Sequence, residues 1–136
     1  MRFVDTNVLL YAVSTTPSEA ARARVARDIL EAEDLALSVQ VLQEFCVQAT
    51  RQGRAGRLSH EQAALLVEAW VRFRTQETTV ALVRRALELS RRHRLSYWDA
   101  AIVEAARLAG CDTLLSEDLA HGRSYDGVRV VDPFRR

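Results

Sequence analysis

An alternation of two hydrophobic periods constrains this chain most. Short apolar runs of strand length are followed by longer stretches whose apolar residues recur every three or four positions. Arg2–Val4, Leu35–Val39, Thr113–Leu115 and Val128–Val131 read as strands. Helices are expected over about 16–33, 41–52, 59–72, 80–93 and 96–110. Thr16-Pro17-Ser18-Glu19 carries the cap, the first-position proline and the glutamate of a helix start, and Ser59-His60-Glu61-Gln62 repeats the capping box. Asp5-Thr6-Asn7 reads as the turn after the first strand, Thr78–Thr79 as a short strand or a cap, and Ser116–Gly122 as a loop. Strands alternating with helices specify an α/β fold, a parallel sheet covered on both faces. The 136 residues suit one domain over 1–136.

Composition mostly excludes. Cys46 and Cys111 have neither paired nor metal-ligand spacing, so both are expected as reduced thiols in a cytoplasmic protein. The first apolar run, Phe3 to Val13, is too short for a bilayer and is broken by Asp5 and Asn7, so no membrane association is expected. A net charge of +1 gives no sign of nucleic-acid binding. All 19 basic residues are arginine. A GC-rich genome explains that as readily as a use for bidentate phosphate contacts. The absence of lysine rules out a Walker A loop and a Schiff-base nucleophile.

The chemistry lies in where the carboxylates fall. In a parallel α/β sheet, ligands bind outside the carboxyl ends of the strands, where the covering helices begin. Asp5 follows the first strand, and Asp118 follows Thr113–Leu115 closely. Glu44 lies in the first turns of the helix after the second strand, and Asp99 in the first turn of the Ser96 helix. Each has an ordinary explanation: a turn acid, a solvated helix face, a cap partner, a loop acid. Together they put four carboxylates from distant segments at one edge. Such a cluster repels itself and is commonly relieved by a hard cation with oxygen ligands.

These residues resemble a family. Phe3-Val4-Asp5-Thr6-Asn7-Val8-Leu9-Leu10 resembles the opening strand and turn of PIN domains. Val41-Leu42-Gln43-Glu44-Phe45, Leu95-Ser96-Tyr97-Trp98-Asp99-Ala100-Ala101-Ile102 and Thr113-Leu114-Leu115-Ser116-Glu117-Asp118-Leu119 follow in the family's order, and Val130-Val131-Asp132-Pro133-Phe134 resembles its ending. The resemblance implies an α/β/α sandwich with a mostly parallel sheet and cleavage of RNA dependent on Mg2+ or Mn2+. It carries Asp5, Glu44, Asp99 and Asp118 over as an acidic quartet, with Thr6, Asn7 and Ser116 as polar neighbours. Glu117 or Asp118 is the fourth acid; the Ser-x-Asp spacing favours Asp118. Chains of this size most resemble VapC-type toxins of toxin–antitoxin pairs, which implies an antitoxin partner.

On that basis Asp5, Asp99 and Asp118 are expected to bind the metal, and Glu44 to hold a second ion or position water. Arg51, Arg54 and Arg57, and Arg91, Arg92 and Arg94, are two candidate RNA contacts, although cations at helix C-termini are equally ordinary. His93 and His121 are not expected in the chemistry. The 59–72 helix is apolar nearly all round, so a homodimer burying Trp70, an antitoxin or a thicker core is expected to cover it. A dehalogenase-type phosphatase is excluded, because Asn7 stands where it needs a second acid and no lysine follows. A housekeeping RNA-processing nuclease and a catalytically inactive RNA-binding or interaction module remain as alternatives.

Overall fold

The structure is a computed structural model that describes residues 1–135. Six strands form one sheet: β1 Arg2–Val4, β2 Leu35–Ser38, β3 Arg74–Gln76, β4 Thr113–Leu115, β5 Ser124–Tyr125 and β6 Val128–Val131. Their order is β3-β2-β1-β4-β6-β5, with every pairing parallel except β5 with β6. Six α-helices accompany them: α1 Thr6–Ala12, α2 Ala20–Leu30, α3 Val39–Ala49, α4 His60–Trp70, α5 Val80–His93 and α6 Tyr97–Leu108. This is the mixed α/β architecture with a mostly parallel sheet that the sequence specifies.

Strand order positions the site. The chain steps from β1 outward to β2 and β3, then returns across the sheet to β4. Parallel crossovers are right-handed, so α1–α4 cover one face and α5–α6 the other. Accordingly α6 packs on β2, β3, β4 and β6, with α5 against α6, while α1 packs on α2 and α3. The reversal falls between β1 and β4, and the carboxyl ends of those two strands flank the crevice where such sheets bind ligands.

Several local expectations are corrected. Asp5-Thr6-Asn7 is not a turn: Asp5 caps α1, accepting the Thr6 N–H at 2.7 Å. A seven-residue helix whose last five residues, Val8–Ala12, are all apolar shows no period, and its burial of Val8 and Leu9 reveals it only in the fold. Thr16 makes no side-chain cap: the Glu19 N–H goes to the Thr16 carbonyl at 2.9 Å, and the Glu19 carboxylate accepts from the Ser14 hydroxyl at 2.6 Å; Pro17–Glu19 is a 3-10 turn, and α2 ends at Leu30. Thr79 caps α5, and the strand precedes it at β3, an edge strand whose Arg-Thr-Gln has no apolar alternation. β5 was not expected. Asp126 and Gly127, at φ 49° and 88°, form its two-residue turn to β6, for which Asp-Gly is the usual pair.

Trp70 does not await a partner. It is 5% exposed and packs edge-to-face on Phe45, ring centroids 4.7 Å apart, within the chain's own core. What α4 presents to solvent is Leu65, 72% exposed, with Val71 just after its end.

Candidate active site

Asp5 is the centre of the carboxyl edge. Its N–H continues the sheet to the Leu115 carbonyl of β4 at 3.0 Å, which carries the residue just beyond both strands. One carboxylate oxygen accepts the Thr6 N–H, and the other accepts the Ser116 hydroxyl at 2.7 Å. The side chain is almost wholly buried. Burial pushes its carboxyl up from 3.8 to about 7. The Ser116 and Thr6 hydrogen bonds oppose that rise, and the negative charges of Asp118 and Glu44 add to it.

The other three acids arrive from separate elements. Ser38 caps α3, and Glu44 projects from the second turn of that helix. Glu44 is held at both oxygens: the Thr6 hydroxyl donates to one at 2.9 Å, and the Gln40 amide to the other at 2.7 Å. Ser96 caps α6 by accepting the Asp99 N–H at 3.1 Å, fixing Asp99 in the first turn. Burial, then the charges of Asp118 and Glu44, raise the Asp99 carboxyl against the pull of Ser96. Asp118 is exposed; it accepts from the Asn7 amide at 3.2 Å, and its own N–H donates to the Ser116 hydroxyl oxygen at 3.1 Å. Thr6, Asn7 and Ser116 thus each tie one predicted acid to the cluster.

Glu117 points elsewhere. It accepts the Tyr11 hydroxyl at 2.7 Å. Burial and this acceptor push the Tyr11 phenol up to about 12. Tyr11 also stacks edge-on against Phe134, so Glu117 is anchored while Asp118 faces Asn7.

The donor set is all oxygen, as a hard divalent cation requires. Among the described residues, no three His, Cys, Asp or Glu side chains already stand at chelating spacing. The Asn7 carbonyl oxygen nevertheless lies buried with no hydrogen-bond partner, an acceptor at the cluster left free for a hydrated ion. The residues fit a cation that keeps much of its water, as Mg2+ does.

The basic candidates divide. Arg51 lines a groove together with Glu44 and Trp98. Arg54 lines a different pocket with Ser14 and Glu19, and Arg57 is exposed in the same loop. Arg92, with Arg85, pairs with Asp126 in the turn before β6, at the amino edge of the sheet; Arg91 and Arg94 are exposed nearby. His93 meets Asp126 at 3.3 Å, and the His121 ring accepts the Asp132 N–H at 3.0 Å, so neither joins the acids. Gln40 was missed. Its spacing of four from Glu44 on a helix was the available signal.

The PIN-domain family model matches residues 2–125. The chain belongs to the PIN-domain family. No curated protein matches it in sequence. This PIN domain is similar to a toxin–antitoxin complex chain from Klebsiella pneumoniae, at 22% identity and TM-score 0.72 over 98% of both chains. It is similar to VapC20 of Mycobacterium tuberculosis, a sarcin–ricin-loop-cleaving toxin, at 20% identity and TM-score 0.69, covering 95% of this chain and 99% of that one. A chain of DNA-bound VapBC from Salmonella typhimurium matches at 16% identity and TM-score 0.67 over 97% of each. Among the described residues, no helix of the PIN domain is long and apolar enough to cross a membrane.

Proposed function

We propose that this PIN domain is a divalent-metal-dependent endoribonuclease, the toxin of a toxin–antitoxin pair acting on RNA in the cytoplasm. One observation carries the reading: the charges of Glu44 and Asp118 act on a buried Asp5, whose carboxyl is raised to about 7, and the same two act on Asp99, so four acids from four segments share one edge. A buried carboxyl raised mainly by desolvation, and further by two neighbouring acids, is relieved by a cation. The likeness to solved toxin chains adds support.

Asp5, Asp99 and Asp118 would hold Mg2+ or Mn2+, and Glu44 a second ion or the attacking water. When bound, the cation neutralises the scissile phosphate and activates water for phosphodiester hydrolysis. The chain's own residues do the positioning. Thr6 and Gln40 fix both Glu44 oxygens, so the carboxylate presents its remaining lone pairs in one orientation. Ser116 turns the Asp5 carboxylate, and Asn7 holds Asp118 while its unpartnered carbonyl oxygen would accept from a water carried by the ion.

The decisive experiment pairs chemistry with physiology. The purified protein is expected to cleave cellular RNA with Mg2+ or Mn2+ and to stop in chelator. Its expression alone is expected to arrest growth, and co-expression of a small cognate antitoxin to restore it. The antitoxin's inhibitory segment is expected to bring a basic residue to Asp5, Asp99 and Asp118, where an arginine can pair bidentately. Cleavage that persists in chelator overturns the metal dependence, and no cleavage overturns the nuclease; harmless expression of an active enzyme assigns it to RNA processing instead.

The toxin reading includes a homodimer that covers the exposed Leu65 and Val71. Leu65→Glu is expected to shift sedimentation from dimer to monomer without lowering the melting temperature. A wild-type protein that sediments as a monomer removes the dimer.

A further inference from the structure

Between α3 and the start of α6 runs an open groove of about 360 Å³. Its far wall is Trp98, whose indole is 64% exposed although it immediately precedes Asp99. Its near wall is a stripe of α3, where Gln43, Val47 and Gln48 lead to Arg51 just past the helix end. Glu44 closes it at the carboxylate cluster. The groove is braced: the Gln40 amide that donates to Glu44 also donates to the Trp98 carbonyl at 3.3 Å, which ties the two walls together. The Tyr97 ring packs edge-on against the indole, centroids 5.2 Å apart.

We propose that this groove is a subsite for one unstacked nucleobase of the RNA substrate, next to the scissile phosphate; the proposal rests on the nuclease reading above. Each wall matches a part of a nucleotide. Trp98 offers an exposed indole, and Val47, 63% exposed, adds an apolar surface to the same groove. Single-stranded RNA is recognised by splaying bases onto such aromatic faces. Gln43 and Gln48 each supply a carboxamide donor and acceptor, the functions needed to read a base edge. Arg51 is an exposed cation at the groove end away from Glu44, where it suits a flanking phosphate. Trp98 and Val47 together put an exposed apolar surface next to Glu44, and a flat, neutral base would cover it.

Trp70 is buried, so Trp98 reports on the groove by its fluorescence. The test titrates single-stranded oligoadenylate into cleavage-dead Asp5→Asn protein in Mg2+, alone and combined with Trp98→Ala, Trp98→Phe or Arg51→Ala. The oligonucleotide is expected to quench tryptophan emission. Trp98→Ala is expected to abolish the quench, weaken binding about tenfold and leave the salt dependence unchanged, whereas Trp98→Phe keeps most of the affinity. Arg51→Ala is expected to lower the slope of log affinity against log salt by about one. Unchanged affinity in Trp98→Ala overturns the subsite, and cleavage of cellular RNA by the wild type then leaves the nuclease standing. Unchanged RNA affinity with lost capture of the co-expressed antitoxin gives the groove to a protein and also overturns it. No RNA binding by any variant and no cleavage by the wild type remove the nuclease reading itself.

Discussion

Asp5→Asn is expected to lower RNA cleavage by about a hundred- to a thousandfold, the cost of removing one preorganised charge from a catalytic site. The same variant is expected to be more stable than the wild type above neutral pH when metal is absent. Below about pH 4 the Asp5 carboxyl is protonated in both the folded and the unfolded chain, and contributes nothing. From about pH 4 to about pH 7 the unfolded chain releases the proton while the folded one keeps it, so stability falls as pH rises. Above about pH 7 the whole penalty stands, on the order of 4 kcal/mol if the full shift is realised. The gain on substitution is smaller, about 1–2 kcal/mol, because the Ser116 hydroxyl loses its charged acceptor. Chelator-treated wild type is therefore expected to melt at lower temperature at pH 8 than at pH 5, with the slope flattened in Asp5→Asn. A wild-type melting temperature that rises over that interval, or a variant that cleaves like the wild type, would contradict the assignment of Asp5.

Arg107→Met is expected to be strongly destabilising although it lies outside the site. Glu104 is 1% exposed in the middle of α6, and its two oxygens accept from Arg107, one turn on, at 2.6 and 2.8 Å. The pair is bidentate, and Arg107 itself reaches partly into solvent. Removing the guanidinium leaves a buried carboxylate on α6 without the counter-charge that now pairs with it. Breaking a buried pair in this way costs about 3–5 kcal/mol, and the partial exposure of Arg107 puts the expected loss at the lower end. Adding Glu104→Leu should recover most of it, because an apolar residue of similar volume needs no partner there. Chemical denaturation of the single and double variants measures both steps. A double variant no better than Arg107→Met would show that the helix surface, and not the stranded charge, sets the cost.

What the sequence determined by itself was whatever has a local signature. The strand runs at β1, β2, β4 and β6 announce themselves by composition, and Ser59 and Ser96 mark helix starts by capping chemistry. These elements in this order already imply a parallel sheet with Asp5, Glu44, Asp99 and Asp118 near its carboxyl edge, since crossover handedness leaves few other arrangements. The tertiary structure decided what depends on partners distant in sequence. α1 exists because Val8 and Leu9 find a core, and β3 because β2 offers it an edge. Nothing near residue 117 distinguishes two adjacent acids; Tyr11 and Asn7, more than a hundred residues earlier, take one each. Asp126 likewise claims Arg85 and Arg92, Trp70 folds onto Phe45, and Trp98 stays exposed in a groove that Arg51 also lines. Periodicity and caps are encoded within a few residues, whereas the choice between a buried, a paired and a free side chain is made only when the sheet brings its neighbours together.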